Sequence, residues 1–221
     1  AFGSEPISGE DIVDWIKKVR QEMEAMFDRL ERAMPQLPDA AQALAASLLV
    51  ARPKLYRRIL RPSGIRLEAM KIRCHGNYHL GQVWLMKNDF VIANYGGEPG
   101  LSWSERRAKH TPLRDVASML HSLGEAGARA LSHVAGDSPE AAAALQAHVD
   151  GWEQLARKAF YRSYRRAMSG HPSHPADAAA AEALMTLFLA KKSISRVNDA
   201  LARHEAGIGS CMQRLLRLAQ R

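Results

Sequence analysis

Cysteine is nearly missing from this chain. Cys74 and Cys211 are the only two, and they make neither a disulfide framework nor a metal-ligand spacing. Such usage fits a reducing compartment, and a cytoplasmic location is the expectation. Aromatic residues are scarce as well, at 6%, while alanine is abundant, a balance that favours helix. No run of about 18 apolar residues occurs, so no transmembrane helix and no membrane partner are expected. The N-terminal stretch AFGSEPISGEDIVDW is acidic and lacks the apolar core of a signal peptide. The chain begins at Ala1 without an initiator methionine, as a fragment or a processed chain would. There is no internal repeat and no long low-complexity segment.

What is present in excess is positive charge: 31 Lys and Arg against 23 Asp and Glu, net +8. This balance permits contact with phosphates or nucleic acid. No nucleic-acid-binding motif and no basic–aromatic alternation accompanies it, so a solvated basic surface is the expected reading. Hydrophobic residues make up 47%, ordinary for a globular protein. A length of 221 residues fits one domain or one large lobe with a sizeable core.

Helical signals dominate both ends. Ser8 followed three residues later by Asp11 reads as a helix start. Ile12, Trp15, Ile16, Val19, Met23, Met26, Phe27 and Leu30 then recur at helical spacing and predict a core-facing stripe rather than a ligand box. Pro35 and Pro38 close that helix. Asp39 is positioned to cap a second, over 40–50, which Pro53 is expected to interrupt, and Lys54 to Arg61 reads as a basic segment ending at the turn Pro62-Ser63-Gly64. Farther on, helices are predicted over 113–123, 140–168, 178–193 and 194–203 (the last two a pair or one bent helix) and 211–219. Gly136-Asp137-Ser138-Pro139 starts the longest, and Trp152, Leu155, Ala156, Ala159, Phe160 and Tyr164 form its apolar stripe. His171 and His174 lie three apart in a loop with no Cys or acid close by, so no metal site is expected there.

The stretch Lys71 to Pro99, KIRCHGNYHLGQVWLMKNDFVIANYGGEP, stands apart. It concentrates aromatic, β-branched and glycine residues and reads as strand, loop, strand, turn, strand, with Lys87-Asn88-Asp89 as the turn. That frame matches the phosphotransfer core of protein kinases, in which a catalytic loop H-R-D-x-x-x-x-N precedes a D-F-G on the next strand. His75-Gly76-Asn77 stands at H-R-D, Gln82 stands five residues after Asn77, and Asn94-Tyr95-Gly96 stands at D-F-G. Both acidic positions carry Asn. The template needs one Asp to accept the proton of the substrate hydroxyl and the other to hold Mg²⁺. An amide oxygen is not a usable base, and it is a weaker ligand than carboxylate for a hard cation.

At these residues the chain resembles the C-terminal lobe of bacterial maltokinases, including the maltokinase domain often fused to trehalose synthase. The family signature H-G-D-Y-H-L-G-Q stands here as His75-Gly76-Asn77-Tyr78-His79-Leu80-Gly81-Gln82. Its I-D-F-E-G-E-P stands, altered, as Ala93-Asn94-Tyr95-Gly96-Gly97-Glu98-Pro99, and Glu105 to Ala117 is similar to the family's next motif. The likeness extends through Trp152 to Arg166 and Leu184 to Leu218.

The resemblance implies a mainly α fold with a small β-hairpin, the larger C-terminal lobe of a protein-kinase-like or aminoglycoside-phosphotransferase-like architecture. The chain is then one lobe, with a helical segment at 1–70, a motif-bearing β core at 71–99 and a helical subdomain at 100–221. No G-x-G-x-x-G and no strand lysine of the V-A-I-K type precede Lys71, so the nucleotide lobe is expected to be absent. The implied cofactors are Mg²⁺ and ATP, with no tight binding by this chain alone, and the implied substrate is maltose or a related α-glucoside, phosphorylated at its anomeric hydroxyl. Asn77 takes the base position, His75 braces the loop, Gln82 and Asn94 take the cofactor-binding and metal positions, and Arg114 and Asp115 make pairs that fix the loop. The expected function is a degenerate maltokinase-like binding or structural module; the alternative is a working phosphotransferase completed by an N-terminal lobe or a trehalose synthase domain. Without that lobe, Val83, Leu85 and Val91 are expected either to drive self-association or to be covered by the N-terminal helices.

Overall fold

The computed structural model describes residues 3–65, 67–98, 100–136, 138–205 and 207–220. In chain order its elements are β1 (Glu5–Pro6), α1 (Gly9–Ala33), α2 (Asp39–Ile59), β2 (Met70–Lys71), β3 (Val83–Met86), β4 (Asp89–Ile92), α3 (Trp103–Arg107), α4 (Leu113–Ala135), α5 (Pro139–Ala167), α6 (Ala178–Ala202) and α7 (Ile208–Gln220). Single 3-10 turns stand at Met34–Gln36 and Leu80–Gln82. The mainly α architecture with a small hairpin is the one expected. The chain groups into two compact units, residues 7–68 with 175–221, and residues 1–6 with 69–174.

The first of these units is a bundle of α1, α2, α6 and α7. The start of α1 follows from its sequence: the Ser8 side chain accepts the Asp11 N–H at 3.1 Å, and the Asp11 carboxylate accepts the Ser8 N–H at 2.8 Å. All eight predicted stripe residues of α1 are buried. α1 packs on α2 and α6, and α7 on those same two helices, with Leu48, Leu55 and Ile59 of α2, Leu184, Leu187 and Ile194 of α6 and Met212 and Leu215 of α7 also buried. Trp15 meets Phe188 edge to face at 5.7 Å, a geometry that adds to burial.

One sequence expectation fails in this bundle. Pro53 does not interrupt α2, which runs unbroken from Asp39 to Ile59 and takes in the predicted basic segment as far as Ile59. The buried Leu48 lies before the proline, and Leu55 and Ile59 lie after it. Tertiary packing of that face outweighs the roughly 3 kcal/mol penalty of an interior proline. Of the two readings left open for residues 178–203, a pair or one bent helix, the structure has one helix, α6 (Ala178–Ala202), whose Asp177 cap accepts the Ala179 N–H at 2.9 Å.

The second unit carries the motif stretch. Its first predicted strand is short: Met70 and Lys71 pair antiparallel with Pro6 and Glu5, a partner the acidic N-terminus does not advertise. Ile72 then bridges to His110 by bonds of 2.9 and 2.8 Å. Strands β3 and β4 form the predicted hairpin, with Val83 opposite Ile92 and Met86 opposite Asp89. Lys87 and Asn88, at φ 48° and 63°, make the left-handed two-residue turn that suits the twist of a hairpin. The predicted Gly136–Pro139 start of α5 includes Asp137, outside the described residues; Ser138 caps the helix through the Ala141 N–H. Helix α5 packs on α4, where a Cβ at Gly127 would stand 3.0 Å from Val149. The predicted α5 stripe is not a core stripe: no residue of α5 is buried, and Leu155 is 69% exposed.

The hairpin is bare on both faces. Trp84, Leu85, Met86, Phe90, Val91 and Ile92 are all exposed and Val83 is half-buried.

Because α2 tolerates Pro53 only through packing, Pro53→Ala should raise the stability of the protein, by up to about 3 kcal/mol. Denaturant unfolding measures this; an unchanged or lowered midpoint would mean that the proline is needed for the local course of the helix.

Candidate functional site

The loop from Ile72 to Gln82 is held from below by one carboxylate. Asp115, in the first turn of α4, accepts the His75 N–H at 2.7 Å and the Gly76 N–H at 3.0 Å. Successive backbone N–H groups aimed at one point make a concavity that suits an anion, and Gly76 supplies the turn through a φ of 79°, open to glycine and strained for other residues. Burial pushes the Asp115 carboxyl above the ordinary carboxylate range, and the two backbone N–H groups partly offset this. The neighbouring Arg114 does not pair with Asp115. Its guanidinium donates to Glu98 at 3.2 Å, with both side chains largely buried, and ties the start of α4 to the segment after β4.

The four positions singled out by the motifs form one connected network. The His75 Nδ1 accepts the Asn77 N–H at 3.3 Å, and its Nε2 lies 2.8 Å from the Ala93 carbonyl. With Nδ1 accepting, the proton of the neutral ring sits on Nε2, which donates to Ala93. His75 thus bridges the loop to the residue before Asn94. The Ala93 N–H donates in turn to the Gln82 carbonyl at 2.9 Å. Asn94, at φ 60°, donates its Nδ2 to Gln82 Oε1 at 2.6 Å, and Gln82 Nε2 stands 3.2 Å from His79 Nε2. Gln82 and Asn94, twelve residues apart, are therefore side by side. Asn77 joins through its backbone.

Mg²⁺ does not fit this donor set. Asn77 and Asn94 offer amides where the template has carboxylates, and Gln82, an amide in the template too, is left without a carboxylate beside it for a hard cation. The two carboxylates nearby are committed, Asp115 to the loop backbone and Glu98 to Arg114. Among the described residues no group of three or more His, Cys, Asp or Glu could hold a metal.

Other groups frame the loop. Tyr78 and Tyr95 flank the His75 ring at centroid distances of 5.7 and 5.1 Å, and burial raises the Tyr78 hydroxyl pKa. Cys74 faces the Ile72 and His110 carbonyls, and burial pushes its thiol up to about 12. Arg106 lies over the Trp103 ring at 5.4 Å and donates to the Leu101 carbonyl. His174, whose pKa burial lowers, lies 3.3 Å from the Tyr164 hydroxyl, and His171 accepts the Ser173 N–H. Motif reading had not singled out Glu98 as the partner of Arg114 or His79 as the partner of Gln82. Both lie within quoted motifs, and spacing alone does not reveal such side-chain partners.

Asp115→Ala would leave two buried N–H groups without an acceptor and should cost about 2–4 kcal/mol in denaturant unfolding. A loss below the usual surface range would dissolve the clamp. The raised pKa gives a second check. Its contribution to stability is full below the unfolded value of about 4 and is lost as pH rises through the folded value. The stability of the wild type relative to Asp115→Asn should therefore decline from pH ~4 upward, and a difference flat with pH would contradict this. The Cys74 thiol should stay silent to thiol reagents at pH 8 in the native protein and react on unfolding; rapid native labelling of Cys74 would show that it is not buried as described.

No family model matches the chain. Glucosamine kinase of Streptacidiphilus jiangxiensis is 23% identical over 169 residues, 76% of this chain and 34% of that protein. Crystal form B of glucosamine kinase superposes with a TM-score of 0.75 at 20% identity, covering 98% of this chain and 48% of that one. Glucosamine kinase in complex with glucosamine, ADP and inorganic phosphate superposes with a TM-score of 0.72 at 19% identity, over 97% of this chain and 49% of that one. The chain thus spans a third to a half of the length of these proteins. The likeness establishes the fold, a mainly α lobe with small antiparallel hairpins of the kind seen in these kinase-like structures.

Proposed function

We propose that this chain is a degenerate sugar-kinase lobe, a binding or structural module that does not transfer phosphate by itself. One observation carries the reading. The loop frame of a phosphotransferase is built and clamped, with Asp115 beneath it and His75 across it, yet its base and metal positions hold Asn77, Gln82 and Asn94. Positioning and charge neutralisation supply nearly all catalysis in phosphoryl transfer, and neutral amides supply neither a base nor a metal site.

The sugar is of the class handled by such kinases. The motif resemblance favours maltose or a related α-glucoside and a tie to trehalose synthase; the glucosamine bound by a structural neighbour favours an amino sugar. The same neighbour holds ADP, so a nucleotide belongs to the full architecture. In this chain no phosphate-covering loop precedes the motif stretch, and calorimetry with millimolar Mg-ATP should show little heat. A micromolar dissociation constant would contradict the reading.

A second reading has its own support. The hairpin exposes apolar side chains on both faces, and large bare apolar surfaces mark contact sites. The relatives are two to three times longer than the span matched. An N-terminal lobe, upstream or on a partner, would cover the hairpin and complete an active ATP-dependent phosphotransferase.

One assay separates the two. ADP release dependent on maltose, and separately on glucosamine, is measured for the wild type, Asn77→Asp/Asn94→Asp, a chimera carrying the upstream lobe of a related maltokinase, and that chimera with both changes. The degenerate reading expects turnover from the last alone. Turnover by the unchanged chimera supports the second reading, and turnover by the unmodified chain alone defeats the first.

A further inference from the structure

Helix α5 turns one side to α4 and leaves the other without cover. On the α4 side a Cβ at Gly127 would meet Val149 and the edge of the Trp152 ring, and Arg157 donates to the Leu120 carbonyl at 3.2 Å. Ala156, Phe160 and Tyr164 are half-buried there. Elsewhere on the helix His148, Trp152, Leu155, Ala159, Arg162 and Arg166 are all exposed, Trp152 at 47% and Leu155 at 69%. These six recur at alternating intervals of four and three residues, the spacing of a seam between two helices. A Cβ at Gly151 would meet nothing within 4 Å, so the surface beside Trp152 is open. The helix is also divided in charge. Its acids, Glu140, Asp150 and Glu153, all precede Gln154, and its bases, Arg157, Lys158, Arg162, Arg165 and Arg166, all follow it. Glu153 pairs with Arg157, and Asp150 accepts from Gln146. Glu140, Lys158, Arg162, Arg165 and Arg166 have no ion-pair partner among the described residues.

We propose that the outer face of α5 is a homodimer surface, on which a second copy of this chain packs its own α5 antiparallel about a two-fold axis between Glu153 and Gln154. A helix with acids in one half and bases in the other complements a copy of itself when the two run in opposite directions. The same axis matches the seam. It sets Trp152 against Leu155 of the second copy, His148 against Ala159, and Glu140 beside Arg166. The two large apolar side chains thus meet at the centre and the free charges meet at the ends, the usual layout of apolar core and polar rim. Gly151 and Ala159 have little side chain to hold the helices apart. From Ala141 to Arg166 the seam runs roughly 38 Å at about 1.5 Å per residue. A contact of that size falls at the low end of specific interfaces, which fits a reversible dimer.

Sedimentation velocity over the micromolar range tests this, with circular dichroism to check the fold of each variant. The wild type should show a monomer–dimer equilibrium. Leu155→Glu sets two like charges beside the axis and should leave a monomer at every concentration. Arg166→Glu and Glu140→Arg should each weaken the dimer about fivefold, the loss of two symmetric surface pairs, and the two changes together should restore most of it. Cross-linking reads the direction of the helices. In the antiparallel pair position 159 lies about 16 Å from its own copy, beyond the reach of a disulfide. Oxidation should therefore link His148→Cys to Ala159→Cys in a mixture and link neither variant to itself. A wild type that is monomeric throughout, including one that instead binds anionic vesicles, would overturn the proposal. So would a dimer that survives Leu155→Glu, a double reversal no better than either single one, or self-linking of Ala159→Cys. No readout here involves a sugar or a nucleotide, so the dimer and the degenerate-kinase reading stand or fall separately.

Discussion

Two successive backbone N–H groups share one buried carboxylate, and the motif loop depends on that arrangement. Asp115 is placed by the first turn of α4, where the helix macrodipole also favours negative charge. Its burial is costly for an anion, as the raised pKa records, and the bonds from His75 and Gly76 offset part of that cost. From this fixed point the rest follows in short steps. His75 is held at its backbone, so its ring reaches Ala93, and Ala93 sets Asn94 beside Gln82.

The loop therefore has its shape with no charged residue at Asn77, Gln82 or Asn94. Shape and charge are separable because they come from different residues. The clamp, the bridge and the hairpin come from Asp115, His75 and the Lys87-Asn88 turn. The chemistry of a phosphotransferase would come from carboxylates at positions 77 and 94, where this chain has amides. An amide is close to a carboxylate in size, so the exchange leaves packing nearly unchanged while it reverses what the site attracts. The amides of Gln82 and Asn94 also satisfy each other directly, the Asn94 Nδ2 donating to Gln82 Oε1.

Much of this was legible in the sequence, for reasons that can be named. The α1 stripe was readable because a 25-residue helix repeats its period many times. The hairpin was readable because Lys87-Asn88 is a strong turn signal between β-formers. The positions of His75, Asn77, Gln82 and Asn94 were readable because a motif fixes spacing. The continuity of α2 through Pro53 was not, since local propensity is silent about the packing that overrides it. The β1 strand was not, since two residues carry no period. The α5 stripe, half-buried at Ala156, Phe160 and Tyr164 and exposed at Trp152 and Leu155, shows that an amphipathic pattern marks the apolar face and says nothing of how much lies opposite. The Arg114–Glu98 pair and the His79–Gln82 contact depend on how the chain brings side chains together, which spacing along the sequence does not reveal.

The central claim of the proposed reading is that this clamped loop holds no cation at Asn77, Gln82 and Asn94. The most direct measurement is an NMR titration with Mn²⁺, whose unpaired electrons broaden the signals of nearby nuclei. The account predicts that the backbone and side-chain amide signals of Gln82 and Asn94 stay sharp when Mn²⁺ is added to the wild type, and broaden in Asn77→Asp/Asn94→Asp. Selective broadening of Gln82 and Asn94 in the unmodified chain would contradict it, because a cation would then be held by the residues described here as unable to hold one.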